Sequence, residues 1–232
     1  MGYVFQHPDF GLGNFINLTP AIRRLHELQG ERIPVYFSAE YVRRCFLNCP
    51  FIQILDEKPE YGPLFGSDMV NPENDKPDYQ YVFERVIGEK WTPDYHTYID
   101  HRNNAKEGDY ILIINGSGSE LPDYVALKDP GISAYLTAIK LISGPSKMQI
   151  VATGSEQDAE RNPWMIDIAN AYDFGKIRLA LMLIAGASWV IANDTGLAHA
   201  AGAMNKPLIV LWKNTPRERC KNPGLNTEYW YI

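Results

Sequence analysis

Apolar residues along this chain fall into two kinds of pattern, short continuous runs and longer stretches with a period of three to four residues. The helical period is clearest in residues 15–28, which end just before Gly30, a typical residue after a helix. Continuous runs of this length are typical of buried strands. They occur at residues 3–6, 33–37, 51–55, 110–115, 148–152, 189–192 and 208–212. Strands that alternate with helical stretches predict an α/β fold with parallel sheets.

The strand–helix alternation is interrupted once, in the middle of the chain. Residues 58–77 contain four prolines and no clear period, so we expect a long surface loop there, followed by a strand or short helix at 79–87. Residues 91–108 are polar. We therefore predict two Rossmann-like domains, residues 1–107 and residues 108–232. The other predicted helices are residues 41–47, 132–142, 177–185 and 197–204.

Composition and charge narrow the function classes. The formal net charge of −6 and the lack of a basic block do not favour general nucleic-acid binding. Three cysteines and the pair His96 and His101 give no recognised metal-ligand spacing, so we predict neither a metal nor a cofactor.

We expect a soluble, cytoplasmic protein. The N-terminus lacks the basic and apolar regions of a signal peptide, and the most apolar stretch, residues 179–192, is too short to span a bilayer. Contact with a membrane surface, if there is any, is expected to be transient.

The strongest local motif is a strand that leads through Asn193-Asp194-Thr195-Gly196 into a helix of small residues. The free N–H groups at such a helix start, together with the helix dipole, form an anion site. Thr195 adds a hydroxyl, Asp194 can cap the helix, and His199, one turn later, can donate to a phosphate. The alternative is an ordinary capped core helix whose histidine only satisfies a hydrogen bond.

Three weaker motifs also follow predicted strands, where ligands of open α/β sheets bind. Gly11 and Gly13 precede a helix and resemble half of a dinucleotide fingerprint, or they form only a tight turn. Residues 116–119 read Gly-Ser-Gly-Ser, so Ser117 and Ser119 either contact a phosphate or sugar or belong to a flexible turn. Lys128 is a candidate cation or a solvated surface lysine, and Glu156 is a candidate for ribose hydroxyls or a first-turn helix acid.

Two of these motifs resemble glycosyltransferase family 9, the ADP-heptose:lipopolysaccharide heptosyltransferases. VIANDTGLAHAAGAMNKPLIVLW resembles the C-terminal signature of the family, and GLGNFINLTPAIRRL resembles its first loop and helix. In the C-terminal signature the matching positions are Asp194, Thr195, Gly196, His199 and Pro207.

The resemblance implies a GT-B fold, in which two Rossmann-like domains face a central cleft. It also implies an inverting, metal-independent transfer from a nucleotide-diphosphate sugar to a hydroxyl of a glycan or another acceptor. The residues it assigns to the donor are Asp194, Thr195, Gly196, Leu197 and His199, with Ser117, Ser119, Lys128 and Glu156 matching more loosely and Gly11 and Gly13 in the first loop.

The chain departs from the family pattern at the expected general base. The family's first loop usually carries an aspartate where this chain has Asn14, and an amide cannot accept the proton usefully. Asp9 is the nearest substitute and His7 is another; otherwise Asn14 only orients the acceptor. The chain is also compact and ends 20 residues after the last predicted strand, so we expect the family's C-terminal helical segment to be short or missing.

Three functions therefore stay open from the sequence: a glycosyltransferase, a non-catalytic nucleotide-sugar-binding protein, and a related nucleotide-sugar epimerase. The epimerase needs an acid–base pair of its own.

Overall fold

The computed structural model describes residues 3–5, 11–60, 64–65, 72–73, 75–100, 108–116, 128–144, 148–169, 171–174, 176–214 and 226–232. The chain forms two compact units. One comprises Met1–Asp100 and Pro216–Pro223, and the other comprises His101–Thr215 and Gly224–Ile232. The domain boundary predicted after residue 107 stays a prediction, because residues 101–107 lie outside the described residues.

The described part of the first unit contains one parallel sheet with helices. In chain order its elements are β1 (Tyr3–Phe5), α1 (Leu12–Gln29), β2 (Ile33–Phe37), α2 (Glu40–Arg44), β3 (Ile52–Leu55), β4 (Leu64–Phe65) and α3 (Asp78–Ile87). The strand order is β3-β2-β1-β4.

Helix α1 is held by burial of its first half. Residues 12–22 of the helix contain an unbroken buried stretch that includes Phe15, whose ring lies 4.7 Å from the rings of both Phe37 and Phe46. The helix ends at Gly30, which has a φ of 74° and donates its N–H to the His26 carbonyl. A left-handed residue at this place favours glycine, so the sequence stops the helix where the pattern predicts.

The described part of the second unit contains a larger parallel sheet. Its elements are β5 (Tyr110–Ile114), α4 (Ile132–Ser143), β6 (Gln149–Gly154), α5 (Glu156–Arg161), α6 (Trp164–Ile168), β7 (Ala171–Phe174), α7 (Ile177–Gly186), β8 (Trp189–Asn193), α8 (Gly196–Ala203), β9 (Leu208–Trp212) and β10 (Thr227–Tyr231). The order is β10-β9-β8-β5-β6-β7, with every pair parallel.

The strand order of this sheet determines where a ligand site is expected. From β5 the chain proceeds to β6 and β7 on one side, whereas β8, β9 and β10 extend on the other side. The order therefore reverses between β5 and β8, and ligands of open α/β sheets bind outside the carboxyl ends of the strands at such a switch point. The segments that leave this edge are residues 115–116 after β5 and residues 194–195 after β8.

The α/β fold class with parallel sheets is confirmed, but several predicted elements differ. Residues 58–77 contain the two-residue strand β4, and the helix predicted at 41–47 ends at Arg44. Of the two elements predicted at 79–87, the helix is the one that forms. The prediction that Leu208–Trp212 is the last strand is wrong, because β10 pairs with it in parallel register.

Candidate functional site

The turn between β8 and α8 places the strongest sequence motif at the switch point of the second sheet. Thr195 is the residue before the helix, in extended conformation, and its Oγ1 accepts a hydrogen bond of 3.3 Å from the N–H of Ala198. Thr195 therefore caps the helix, and the expectation that Asp194 does so is corrected. Gly196 and Leu197 form the first turn, whose N–H groups have no partner inside the helix.

Lys128 and Asp194 form an ion pair at this turn. Lys128 Nζ lies 2.9 Å from Asp194 Oδ2 and also donates to the Asp194 carbonyl at 3.2 Å. The two side chains are only 11% and 10% exposed, so the lysine is not a solvated surface residue. The ammonium is thereby held beside the first turn of α8, where the sequence predicts an anion.

The pKa of Asp194 is lowered in spite of its burial. Desolvation opposes the charged form and raises the pKa, but the neighbouring His199 and the positive charge of Lys128 outweigh it. Asp194 is therefore a carboxylate at neutral pH, and it keeps Lys128 in place.

His199 lies one turn inside α8 and faces the same carboxylate. Its Nε2 is 3.8 Å from Asp194 Oδ1, beyond hydrogen-bond distance, and its side chain is 10% exposed. Within the described part of the chain, Nδ1 of this ring is buried without a hydrogen-bond partner. Because a buried polar atom without a partner is costly, the ring is suited to complete its bonding with a ligand.

Four further polar residues join this edge of the sheet, and sequence reasoning missed them as site residues. Asn193 Nδ2 donates to the Lys128 carbonyl, and Asp129 Oδ1 accepts from Asn115 Nδ2 at 3.2 Å. Lys213, directly after β9, donates from Nζ to the Asp129 carbonyl at 3.1 Å. Asn115, Asn193 and Lys213 each occupy the end of an apolar run, which is the signal that points to them.

Strand β6 leads directly into helix α5, whose N-terminus is capped by side chains. Ser155 and Asp158 form a capping box, with Asp158 N donating to Ser155 Oγ and Ser155 N donating to Asp158 Oδ2. Glu156 follows Ser155 and is exposed. Its predicted contact with ribose hydroxyls stays a prediction, and the predicted residues Ser117 and Ser119 lie outside the described residues.

The first-loop motif belongs to the first unit. Gly11 precedes α1 in extended conformation, and Gly13 and Asn14 lie in the first turn of the helix rather than in the loop before it. No acidic side chain lies in this first turn. Asp9 and His7 lie outside the described residues, so the identity of the base stays a prediction.

The second unit matches one family of known enzymes. The model of Glycosyltransferase family 9 (heptosyltransferase) matches residues 138–229, a region that includes β8, α8, Asp194 and His199. The match covers less than half of the chain, and it shows that this region is similar to the family. The resemblance predicted from the C-terminal motif is thus confirmed. The predicted enzyme class, glycosyltransferase, is confirmed at the level of the family.

Solved structures agree on the fold. The chain is similar to ADP-heptose lps heptosyltransferase II of E. coli, with 13% identity and a TM-score of 0.70 over 99% of this chain and 90% of that one. It is also similar to a family 9 glycosyltransferase from Veillonella parvula DSM 2008, with 13% identity and a TM-score of 0.71 over 99% and 85%.

A third similar structure is E. coli heptosyltransferase WaaC with ADP, with 13% identity and a TM-score of 0.64 over 100% of this chain and 93% of that one. A comparison with curated proteins found no match. None of the helices in the described part of the chain is long and apolar enough to cross a membrane. The predicted cytoplasmic location stays a prediction.

Proposed function

We propose that this protein is an inverting, metal-independent glycosyltransferase that moves a sugar from a nucleotide-diphosphate donor to a hydroxyl acceptor. The observation that carries the proposal is the cluster of Lys128, Asp194 and His199 at the start of α8, at the sheet's switch point. Asp194 and His199 lie inside the region that matches the family model.

The donor diphosphate binds at the first turn of α8 in this proposal. The N–H groups of Gly196 and Leu197 and the hydroxyl of Thr195 face the phosphates, and the ammonium of Lys128 supplies the positive charge. Negative charge grows on the leaving diphosphate as the bond between sugar and phosphate breaks, so these groups stabilise the transition state more than the ground state. A base removes the proton of the acceptor hydroxyl while that oxygen attacks the sugar.

ADP-heptose is the first donor to test, since one of the similar structures is named an ADP-heptose heptosyltransferase. A lipopolysaccharide-type glycan is the corresponding first acceptor, with other glycans next. Candidate donors are screened with the purified protein by the shift in melting temperature, and sugar transfer or hydrolysis is then measured with the best binder.

Replacing His199 by Ala, or Asp194 by Ala, is expected to weaken binding of that donor at least several-fold. The first change removes a ring beside the carboxylate, and the second releases Lys128 from its position. Exposed Glu160→Ala in α5 serves as a control that is expected to bind like the parent. If both site variants bind as tightly as the parent, the donor site lies elsewhere.

Asn14 favours a second candidate, a nucleotide-sugar-binding protein that does not catalyse transfer. An amide at the position of the expected base cannot take the acceptor proton. Donor binding without turnover on any acceptor, unaffected by Asp9→Ala, supports this candidate over the first.

A further inference from the structure

Asn193 has a buried amide whose hydrogen bonding is only half complete. It is the last residue of β8, directly before the Asp194-Thr195-Gly196 turn, and it is 2% exposed. Its Nδ2 donates to the Lys128 carbonyl at 3.4 Å. Because a carbonyl only accepts, this contact fixes which end of the amide is the donor, and Oδ1 points elsewhere. In the described part of the chain, Oδ1 is buried and has no hydrogen-bond partner.

Buried polar atoms without a partner are concentrated around this turn. Among the described residues there are five such side-chain atoms, and two of them belong to Asn193 and His199, on either side of Asp194 in sequence. Each such atom costs free energy in the unliganded protein. Their place at the switch point indicates that a bound molecule supplies the missing bonds.

The missing partner of Asn193 Oδ1 has to donate a proton, which the phosphates cannot do. Phosphate oxygens at neutral pH are acceptors, and the N–H groups at the start of α8 are suited to them. A hydroxyl can donate to Oδ1, and a nucleotide sugar carries hydroxyls on its sugar and on its nucleoside. Glu156, the predicted contact of the ribose, follows β6, which β5 separates from β8. The hydroxyl at Asn193 is therefore expected to belong to the transferred sugar.

We propose that Asn193 selects the donor sugar by accepting a hydrogen bond from one of its hydroxyls at Oδ1. This inference rests on the proposed function and deepens it, since it assigns one residue to the sugar rather than to the diphosphate. A site that binds a hydroxyl through a buried polar atom rejects a sugar without that hydroxyl, because the buried atom then stays unpaired. Asn193 thus determines which sugars are accepted more than how tightly the diphosphate is held.

Asn162 provides a matched control in the same unit. It follows α5, is 6% exposed, and its Nδ2 donates to the Asp158 carbonyl at 3.1 Å, as that of Asn193 does to Lys128. Its Oδ1 is not one of the five buried atoms without a partner in the described residues. Asn162→Leu and Asn193→Leu each remove a bond from a buried amide to a main-chain carbonyl, and only Asn193→Leu also removes an unpartnered acceptor.

The test is calorimetric titration of the full chain and both variants with three ligands. These are the best nucleotide sugar of the screen, starting with ADP-heptose, the same nucleoside diphosphate without the sugar, and inorganic pyrophosphate. Asn193→Leu is expected to weaken the nucleotide sugar about fivefold, the effect of one lost hydrogen bond between neutral groups, and the other two ligands by less than about twofold. Asn162→Leu is expected to bind all three like the parent.

Deoxy analogues of the sugar identify the hydroxyl. One analogue is expected to bind the parent more weakly than the full nucleotide sugar does and to bind Asn193→Leu equally well, because the variant no longer makes that bond.

Melting curves without ligand test whether Oδ1 is unpartnered in the free protein. Asn162→Leu should melt about 2–4 °C below the parent. Asn193→Leu loses an unpaired acceptor together with its bond, so it should melt close to the parent.

Different results overturn different parts of the inference. If the parent binds all three ligands and Asn193→Leu binds the nucleotide sugar equally tightly, Asn193 is not a sugar contact, and the proposed function stands. An equal loss with the nucleoside diphosphate or with pyrophosphate contradicts the assignment to the sugar. If Asn193→Leu melts as far below the parent as Asn162→Leu, Oδ1 already has a partner in the free protein. A parent that binds none of the three ligands overturns both this inference and the proposed function.

Discussion

The carboxylate of Asp194 shows how one buried residue organises a site. Moving a charge out of water is costly, and only a close partner of opposite charge offsets that cost. Lys128 is this partner, and it is anchored twice, by the side chain and by the main-chain carbonyl of Asp194. Together with His199, this contact keeps Asp194 ionised, and it also fixes the position of the ammonium that the proposed donor needs.

Removing both members of this pair is expected to destabilise the protein less than the sum of the two single changes. Lys128→Met leaves a buried carboxylate without its cation, which costs about 3–5 kcal/mol. Adding Asp194→Asn to that variant removes the charge, so the double variant is expected to be less destabilised than the sum of the two single variants by about 1–3 kcal/mol. Chemical denaturation of the four proteins at neutral pH measures this coupling.

The pH dependence of the same proteins serves as the control. The folded-state pKa of Asp194 lies below its ordinary value of 3.8, so its contribution to the free energy of unfolding is complete above that value. The contribution is lost as the pH falls further toward the folded-state pKa. Asp194→Asn lacks this carboxylate, so it should lose less stability than the parent on acidification. Equal acid sensitivity of parent and variant would contradict the assignment of Asp194 as a stabilised carboxylate.

At the scale of elements, the sequence predicted the central strands of the second sheet and missed its two edge strands. Strands β5, β8 and β9 are buried on both faces and therefore form continuous apolar runs that a pattern can identify. The edge strands β7 and β10 are partly exposed, and their sequences AYDF and TEYWY lack such a run. Their place becomes apparent only from pairing with β6 and β9.

In the candidate site, too, the sequence predicted the local feature and missed the contacts between residues far apart in the chain. The Asp194–His199 motif is local, and its spacing was sufficient to place it at a helix start. Lys128 is 66 residues from Asp194, and Lys213 is 84 residues from Asp129, so neither contact has a local sequence signal. Only the strand order, which brings β5, β8 and β9 side by side, joins these residues.

Gly116, the second residue after β5, lies against the capping box of α5. A Cβ added at Gly116 would lie 2.8 Å from Asp158 Oδ2, closer than such contacts allow. Gly116→Ala should therefore displace the carboxylate from its capping position and cost about 0.5–2 kcal/mol, the range for loss of a helix cap. The measurement is the free energy of unfolding from urea denaturation.

Asp158→Ala supplies the matched control for this prediction. It removes the carboxylate that the added methyl would strike, so Gly116→Ala should cost clearly less in that background than in the parent. If the cost is the same in both backgrounds, the glycine is required for a reason other than its contact with Asp158.

At the scale of the whole molecule, the features that support the proposed function are divided unequally between the two units. Most of the family match and the cluster of Lys128, Asp194 and His199 belong to the second unit, while the residue at the expected base position belongs to the first. In the proposed function, donor binding and proton transfer therefore depend on residues of different units and can be tested with separate variants. If no other base replaces Asn14, the proposal reduces to its second form, in which the protein binds the donor and does not catalyse transfer.

Asn14→Asp tests whether transfer is limited by that one amide. Asn14 lies in the first turn of α1, where no acidic side chain is present, and a carboxylate there also interacts favourably with the helix dipole. Stability is expected to rise by about 0.3–1 kcal/mol for this reason alone. A working general base contributes about 100-fold or more to rate, so a transfer rate at least tenfold above the parent is expected with the best donor and acceptor.

Asn14→Leu is the control, since it keeps a side chain of similar size and can neither accept a proton nor interact with the dipole. It should show no gain in rate or stability. Greater stability of Asn14→Asp without any gain in transfer would mean that the new carboxylate acts only on the helix. The general base would then have to be sought outside this position, with Asp9→Ala as the next variant, because loss of transfer there would assign the role to Asp9.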